Sequence, residues 1–230
     1  MEIQNRPETL WLLKDAEDTT RKDFLHFGQT VACPKGSLFL RAQEDNSKIF
    51  FILDGKVQIY NLTKNGQKKI LFILGRNNIA NESLVADRNT IFGETIEPCR
   101  LFVIQKTHLL ALMESDFRFT KSLLQYQERK IWRLEHQLKN TVGSIYLERK
   151  LASKLWKLAR DFGVPAEKGI LIDMDLSVTF LADLLGAPRE TTSRVCRKLT
   201  DCGLICMDKK KISIPDVEKM VSFYKNGTIP

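Results

Sequence analysis

The chain has 230 residues, of which 43% are hydrophobic and 28% charged, an ordinary globular balance with room for one large or two smaller domains. Its longest apolar runs, such as Ile49 to Leu53, are strand-sized, so a membrane helix of about 20 apolar residues is excluded. Thirty-six Lys and Arg against 28 Asp and Glu leave a net charge of +8, which permits a polyanionic partner without requiring one. The polar opening EIQNRPE predicts no cleaved secretion signal. The five cysteines (Cys33, Cys99, Cys196, Cys202 and Cys206) are odd in number and scattered, the usage of a reducing cytoplasm, where the protein is expected. No CxxC occurs, and Cys202 and Cys206 alone cannot close a zinc or iron–sulfur site, so no metal is expected.

Glu8 to Phe27 reads as a helical cap. From Val31 to about Gln105 the chain breaks into short apolar runs parted by turn residues. PKG (34–36) precedes SLFLRA, DG (54–55) separates IFFIL from KVQIYNL, and NG (65–66) separates the latter from QKKILFIL. Asn-Gly between two β-rich runs is a strong hairpin signal, because its turn demands positive φ. With further runs at Asn89 to Ile96 and Arg100 to Ile104, the spacing predicts an antiparallel sandwich or barrel.

From about Thr107 the period becomes helical. Phe117, Leu124, Ile131, Leu138 and Ile145 recur every seven residues, with Leu134 at an intervening d position. This predicts a long helix carrying a homodimeric seam, interrupted at Thr120, Gln127 and Thr141, although a helix packed on its own sheet shows a similar stripe. A further amphipathic helix, LERKLASKLWKLARDFG, ends at Gly163 and Pro165. GILIDMDL (169–176) is a short strand, SVTFLADLLG (177–186) and PRETTSRVCRKLTDCG (188–203) are compact helices, and LICMDKKKISI (204–214) is a small hairpin. The expected division is a sensor domain over 1–114, a dimerisation helix over 115–145 and a C-terminal domain over 146–230.

Residues 177 to 199 have helix-turn-helix spacing. Leu181, Ala182 and Leu185 pack the first helix, Gly186 makes the turn, Pro188 takes the first helical position, and Val195 and Leu199 bury the second helix. That leaves Arg189, Glu190, Thr192, Ser193, Arg194 and Arg197 to reach base edges in a major groove. Arg can fork onto guanine O6 and N7 and Glu can accept from cytosine N4, each contact discriminating by about 1–3 kcal/mol. Lys209, Lys210 and Lys211 fall in the hairpin, placed to meet phosphates. An ordinary helical hairpin with a solvated charged face fits the same pattern.

With these parts in order, the chain resembles the CRP/FNR family of bacterial transcription regulators over roughly residues 20 to 215. PKGSLFLRAQE, IFFILDGKVQIY, NGQKKIL and the Gly75 turn match the family's β-roll, and SVTFLADLLGAPRETTSRVCRKLTDCGLI matches its DNA-binding stretch more specifically. The resemblance implies an α+β fold: an N-terminal antiparallel β-roll (jelly-roll) of the cyclic-nucleotide-binding type, a long dimerisation helix and a C-terminal winged helix-turn-helix. It implies a homodimer on double-stranded DNA, reading a two-fold site with TGTGA-type halves, and RNA polymerase as a partner if the protein activates. The family's R-E-T-x-x-R core carries over onto Arg189, Glu190 and Arg194, while Pro188 replaces a hydroxyl residue that touches phosphate.

The sensor departs from the cyclic-AMP pattern. In NIANESLVADRNTIFGE, Glu82 matches the family's Glu, Asn81 replaces its Gly, and Asn89, followed by Thr90, stands where its phosphate-binding Arg belongs; Arg88 is one position off. From Gln127 through Asn140 there is no Ser or Thr to meet an adenine. Cyclic AMP is therefore not expected, and no cofactor is required. Only Cys33 lies near the iron–sulfur branch's cluster, and His26, His108 and His136 are isolated as haem ligands. The effector is unidentified, with Asn81, Glu82, Ser83, Arg88, Asn89 and Thr90 expected to face Tyr126, Lys130 and Arg133 across a pocket, unless the cassette is simply a solvated loop. A regulatory module acting on a protein partner is the alternative. No nucleophile elbow, HExxH, P-loop or GxGxxG speaks for an enzyme.

Overall fold

A computed structural model describes residues 6–139 and 146–227. They form two compact units, the first running to Glu135 apart from Gln67–Lys69, the second made of those three residues and the chain from His136 onward. The expected separate segment 115–145 is therefore, through Glu135, part of the first unit, because its helix is packed into that unit's core.

The first unit opens with two 3₁₀ turns, Pro7–Thr9 and Trp11–Leu13, and helix α1 (Asp18–Phe27). Strands β1 (Gly28–Cys33), β2 (Leu38–Leu40), β3 (Lys48–Asp54), β4 (Val57–Leu62), β5 (Lys68–Leu74), β6 (Phe92–Thr95) and β7 (Cys99–Gln105) follow, then α2 (Lys106–Ser115) and α3 (Phe117–Lys139). The strands make two antiparallel sheets, in the orders β1-β7-β3 and β2-β6-β4-β5. β3 and β7 read as continuous apolar runs because both their faces are covered. On one face Ile49, Phe51, Leu53, Phe102 and Ile104 meet the helices through Leu12, Phe24, Leu109, Phe119 and Leu123. On the other, Ile52, Leu101 and Val103 meet Val57, Ile59, Leu74 and Ile91 of the second sheet and its loops. Side chains alternate across a strand, so each strand serves two cores at once.

The two glycine turns behave differently. At Asp54–Gly55 the chain leaves one sheet for the other, with Gly55 at φ +82°, where a Cβ would lie 2.5 Å from the Pro98 carbonyl. At Asn65–Gly66, between neighbours β4 and β5, only Gly66 has positive φ, and its N–H donates to the Thr63 carbonyl at 2.8 Å.

The helical stretch is not one helix. It breaks at Asp116, whose buried carboxylate accepts the N–H groups of Arg118 (2.9 Å) and Phe119 (3.2 Å) as the cap of α3, and that of Glu17 (2.8 Å) from the segment before α1. α3 then shows two apolar stripes. Phe119, Leu123 and Tyr126 are buried in the roll, whereas Phe117, Leu124, Ile131 and Leu134 of the heptad are exposed, Leu124 by 51% and Ile131 by 56%. The Leu138 side chain and Ile145 lie outside the described residues.

The second unit contains α4 (Leu147–Phe162), β8 (Gly163–Pro165), β9 (Ile170–Ile172), α5 (Val178–Leu185), α6 (Arg189–Asp201), β10 (Cys206–Asp208), β11 (Lys211–Ile214) and α7 (Val217–Asn226). Its sheet runs β10-β11-β9-β8. Leu151, Ala152, Leu155, Leu158 and Ala159 make the buried stripe of α4 at helical spacing. α4 gives way at Gly163 because a Cβ there would lie 2.1 Å from the Ala159 carbonyl. α7 lies past the stretch assigned from sequence. Asp216 caps it by accepting the Lys219 N–H at 2.9 Å, Met220 and Phe223 are buried, and Arg149 of α4 donates to the Tyr224 carbonyl at 3.1 Å.

Burial works against the charge of Asp116, but hydrogen bonds from Glu17, Phe119, Thr20 and Arg118 outweigh it and hold its carboxyl below the usual carboxylate range. A depressed folded-state pKa contributes stability above the unfolded value, about 4, and loses it as pH falls through the folded value. Asp116→Ala should cost about 2–3 kcal/mol in urea unfolding at pH 7. The gap between D116N and the wild type should narrow as pH is lowered below about 4; a gap that stays constant would rule out the charged cap.

Candidate nucleic-acid interface and ligand cavity

The helix-turn-helix is set by its caps. Ser177 Oγ accepts the Phe180 N–H at 3.1 Å to start α5, and Leu181, Ala182, Leu184 and Leu185 are buried. Gly186 ends α5 at φ +71°, its N–H donating to the Ala182 carbonyl at 2.7 Å. Pro188 is the N-cap of α6 rather than its first residue, with extended ψ of 145° and a carbonyl that accepts the Thr192 N–H at 2.9 Å.

α6 divides cleanly. Thr192, Val195, Cys196 and Leu199 face inward at helical spacing. Arg189, Glu190, Ser193, Arg194 and Arg197 are all exposed, and among the described residues none of them is engaged in an ion pair. Thr192 does not belong with them. It is 0% exposed, and its hydroxyl donates to the Pro188 carbonyl at 3.1 Å, so the expectation that it reaches bases is corrected: it is a packing residue. Lys198 anchors the helix elsewhere, its Nζ 2.8 Å from Glu148 Oε1 of α4, a hydrogen bond that holds the Glu148 carboxyl below its usual range.

Lys209 and Lys210 form the turn between β10 and β11, both exposed, with Lys209 in the left-handed region at φ +53°. The Lys210 carbonyl accepts the Leu176 N–H at 2.7 Å. Lys211, also exposed, pairs with Asp175 at 3.2 Å, so its charge is partly matched within the unit.

In the first unit, the cassette between β5 and β6 is closed on itself. Glu82 accepts the Thr90 N–H at 2.6 Å and the Thr90 hydroxyl at 2.7 Å, and the Ser83 hydroxyl accepts from Val85 and Ala86 N–H at 3.2 and 3.0 Å. Asn81 is buried as a cross-brace: its Oδ1 accepts the Phe50 N–H at 2.9 Å, and its Nδ2 donates to Asn46 Oδ1 and to the Lys48 carbonyl. Asn46, not singled out from sequence, completes the brace by donating to the Ser83 and Ala86 carbonyls at 3.0 Å each. Asn89 is buried, and its Oδ1 is the one buried side-chain polar atom without a partner among the described residues, whereas Arg88 is exposed. Asn81 is thus corrected from a pocket-lining to a structural position, since both ends of its buried amide are bonded internally; Asn89, buried with its Oδ1 unpartnered, does not line the cavity described next.

A cavity of about 290 Å³ lies instead between β5, the turn after it, Trp11 and α3, lined by Phe72, Leu74, Arg76, Asn77, Asn78, Tyr126, Arg129, Lys130 and Arg133 as well as Trp11. None of the six cassette residues lines it; Tyr126, Lys130 and Arg133 do. Tyr126 stacks on Trp11 with ring centroids 5.2 Å apart, and its hydroxyl oxygen accepts the Ile79 N–H at 2.9 Å. Burial raises the Tyr126 hydroxyl pKa, against the Ile79 hydrogen bond and the nearby Arg133 and Arg129. Lys130 Nζ donates to the Asn81 carbonyl at 3.1 Å; burial lowers its pKa and Glu82 offsets part of that. Sequence reasoning missed Trp11, Arg76 and Arg129. Tyr126, Arg129, Lys130 and Arg133 do share helical spacing, but the other two join them only through the fold.

A β-roll with a closed ligand cassette, followed by a winged helix that exposes a basic recognition helix, defines a DNA-binding regulator with a sensor domain. Residues 30–116 match the cyclic nucleotide-binding domain, and residues 149–223 match the Crp-like helix-turn-helix domain. The chain is 24% identical over 194 residues to a CRP-like cAMP-activated global transcriptional regulator of Mycobacterium tuberculosis, covering 84% of this chain and 86% of that protein. It is 28% identical over 171 residues to the global nitrogen regulator of Synechocystis sp., covering 73% and 76%. The structure of FixK2 from Bradyrhizobium japonicum superposes with a TM-score of 0.74 at 16% identity, covering 85% of this chain and 96% of that one. The chain belongs to the CRP/FNR family of transcription regulators.

The cyclic-nucleotide fold invites a test of fit. A cyclic phosphate needs a cation held in a partly buried place. At the matching positions the structure has the neutral, buried Asn89 and an exposed Arg88, and Glu82 is already occupied by Thr90. The cassette residues do not fit that ligand. Among the described residues no group of three His, Cys, Asp or Glu is placed to hold a metal, and no helix is long and apolar enough to cross a membrane.

The two faces of α6 can be separated by adjacent substitutions. T192R forces a charge into the core and should cost about 3 kcal/mol or more in urea unfolding, whereas S193R should stay within about 0.5 kcal/mol of the wild type. Equal effects would contradict the assigned faces.

Proposed function

We propose that this regulator is a homodimer that reads a two-fold DNA site of TGTGA type with Arg189, Glu190 and Arg194, assisted by Ser193 and Arg197, while Lys209, Lys210 and Lys211 meet phosphates. The observation that carries the reading is the outer face of α6, where exposed cations without an internal ion pair among the described residues oppose a fully packed inner face. A dimer would set two such helices in successive major grooves, about 34 Å apart. The exposed heptad residues Phe117, Leu124, Ile131 and Leu134 of α3 are the surface through which two copies would pair, and in the sequence Leu138 and Ile145 keep the same spacing.

The roll acts as a sensor for a small effector other than cyclic AMP. Effector binding shifts the population between two ways of pairing the long helices, and with it the spacing of the winged helices. RNA polymerase is the further partner if the protein activates, and the protein has no enzymatic role.

Fluorescence anisotropy on a labelled TGTGA-type palindrome, with scrambled duplex as competitor, tests the reading. Arg189→Ala should abolish discrimination at one guanine, a loss of about 1–3 kcal/mol, whereas Lys210→Ala should weaken all sequences alike and lower the salt slope by about one. Equal losses on specific and scrambled DNA for both variants would refute base reading. Leu124→Glu combined with Ile131→Glu should give a monomer in sedimentation analysis and lose palindrome binding with its secondary structure intact. A variant that stays dimeric would remove α3 as the interface.

A further inference from the structure

The cavity beside Trp11 has a composition that the cassette does not explain. Four cations from two elements converge on it: Arg76 from the turn after β5, and Arg129, Lys130 and Arg133 from α3. No Asp or Glu lines it. At about 290 Å³ it sits at the small end of the ligand cavities of proteins, about 300–1,000 Å³.

Three of the four cations make a defined contact, while Arg129 and Arg133 stay exposed to solvent. Arg76 Nη2 donates to Thr9 Oγ1 at 3.2 Å, the Arg129 guanidinium lies 5.6 Å over the Trp11 ring, and Lys130 Nζ is fixed on the Asn81 carbonyl at 3.1 Å. Trp11 is itself clamped, stacked on Tyr126 and donating from Nε1 to the Asn77 carbonyl at 3.0 Å. Each of these contacts leaves donors over, since an ammonium has three N–H and a guanidinium five. Like charges drawn together around a small concave space, with no acid among them, make a site whose field favours an anion. Phe72 and Leu74 supply an apolar wall on the sheet side.

We infer that this cavity binds a small organic dianion, a dicarboxylate or a phosphate monoester with a short apolar backbone, between the Arg76 turn and the Arg129–Lys130–Arg133 face of α3. The inference rests on the reading of the roll as a sensor, and it moves the ligand from the cassette to the residues of β5, the turn after it and α3. A bound anion would join the Trp11 segment and the β5 turn to α3, the helix whose neighbouring face carries Leu124, Ile131 and Leu134. Ligand binding and helix pairing would then bear on one element.

Isothermal titration of the full-length protein tests this, with succinate and glycerol 3-phosphate as probes and glycerol as the neutral control. One of the two anions should bind and raise Tm, and glycerol should not; which anion binds distinguishes carboxylate from phosphate recognition. R133Q and R76Q, both among the lining residues, should each weaken the anion by about tenfold, R133K should recover part of it, and R88Q in the cassette should leave it unchanged. Circular dichroism and Tm of the unliganded variants confirm that they fold. Absence of binding by both anions, binding that R133Q and R76Q leave intact, or loss in R88Q instead would overturn the assignment. Anion binding without specific DNA binding would defeat the DNA-reading proposal and leave this site standing; DNA binding without anion binding would do the reverse.

Discussion

The ladder between β3 and β7 carries the first unit, because both of its faces are buried and each strand must satisfy two different cores. Phe51, Phe102 and Ile104 look toward the helices while Ile52, Leu101 and Val103 look toward the second sheet. A one-residue slip in register would exchange these sets and set large aromatics against the wrong layer. The position of the 3₁₀ turn at Trp11–Leu13, of α1 and of the first half of α3 follows from that ladder, since Leu12, Phe24, Phe119 and Leu123 have nowhere else to be buried.

α3 converts that frame into a functional element. Its packed stripe, Phe119, Leu123 and Tyr126, commits the helix to the roll, and its heptad stripe is left over. Lys130 continues the packed stripe one turn beyond Tyr126, with Arg129 and Arg133 beside it, and all three line the cavity. Hydrophobic burial holds the first stripe, the second is left exposed, and the cations gather where the packed stripe runs out. Asp116 sets the phase of all three by starting the helix where the Glu17 N–H also reaches its carboxylate.

The cassette and the recognition helix show opposite uses of polar side chains. Around Asn46, Asn81, Glu82 and Thr90, donors and acceptors are engaged with one another, which fixes the loop. On α6 the outer-face arginines make no ion pair among the described residues, while Lys198 pairs with Glu148 of α4. A charge left without an internal partner at the surface costs little in water and remains available to an external anion.

The sequence by itself determined the antiparallel strand region followed by helices, the seven-residue spacing of α3, and the helix-turn-helix with its Gly186 turn, because these depend on local periodicity and on backbone preferences that a few neighbouring residues set. Arg189, Glu190 and Arg194 were legible for the same reason: they occupy the polar phase of a short helix whose apolar phase is plain. Thr192 was misread because a threonine one turn from a cap can donate its hydroxyl backward to a carbonyl and bury its methyl, a choice that depends on packing rather than on polarity. The break at Asp116 hid inside a helical period because the apolar spacing runs on through it; the cap itself is local, and only its further contact, the Glu17 N–H, comes from 99 residues away. Only the tertiary structure decided that the cassette closes on itself and that Trp11, Arg76 and Arg133 share a cavity. Those groups come from three separate stretches of chain, and their proximity is a consequence of sheet packing that local pattern does not contain.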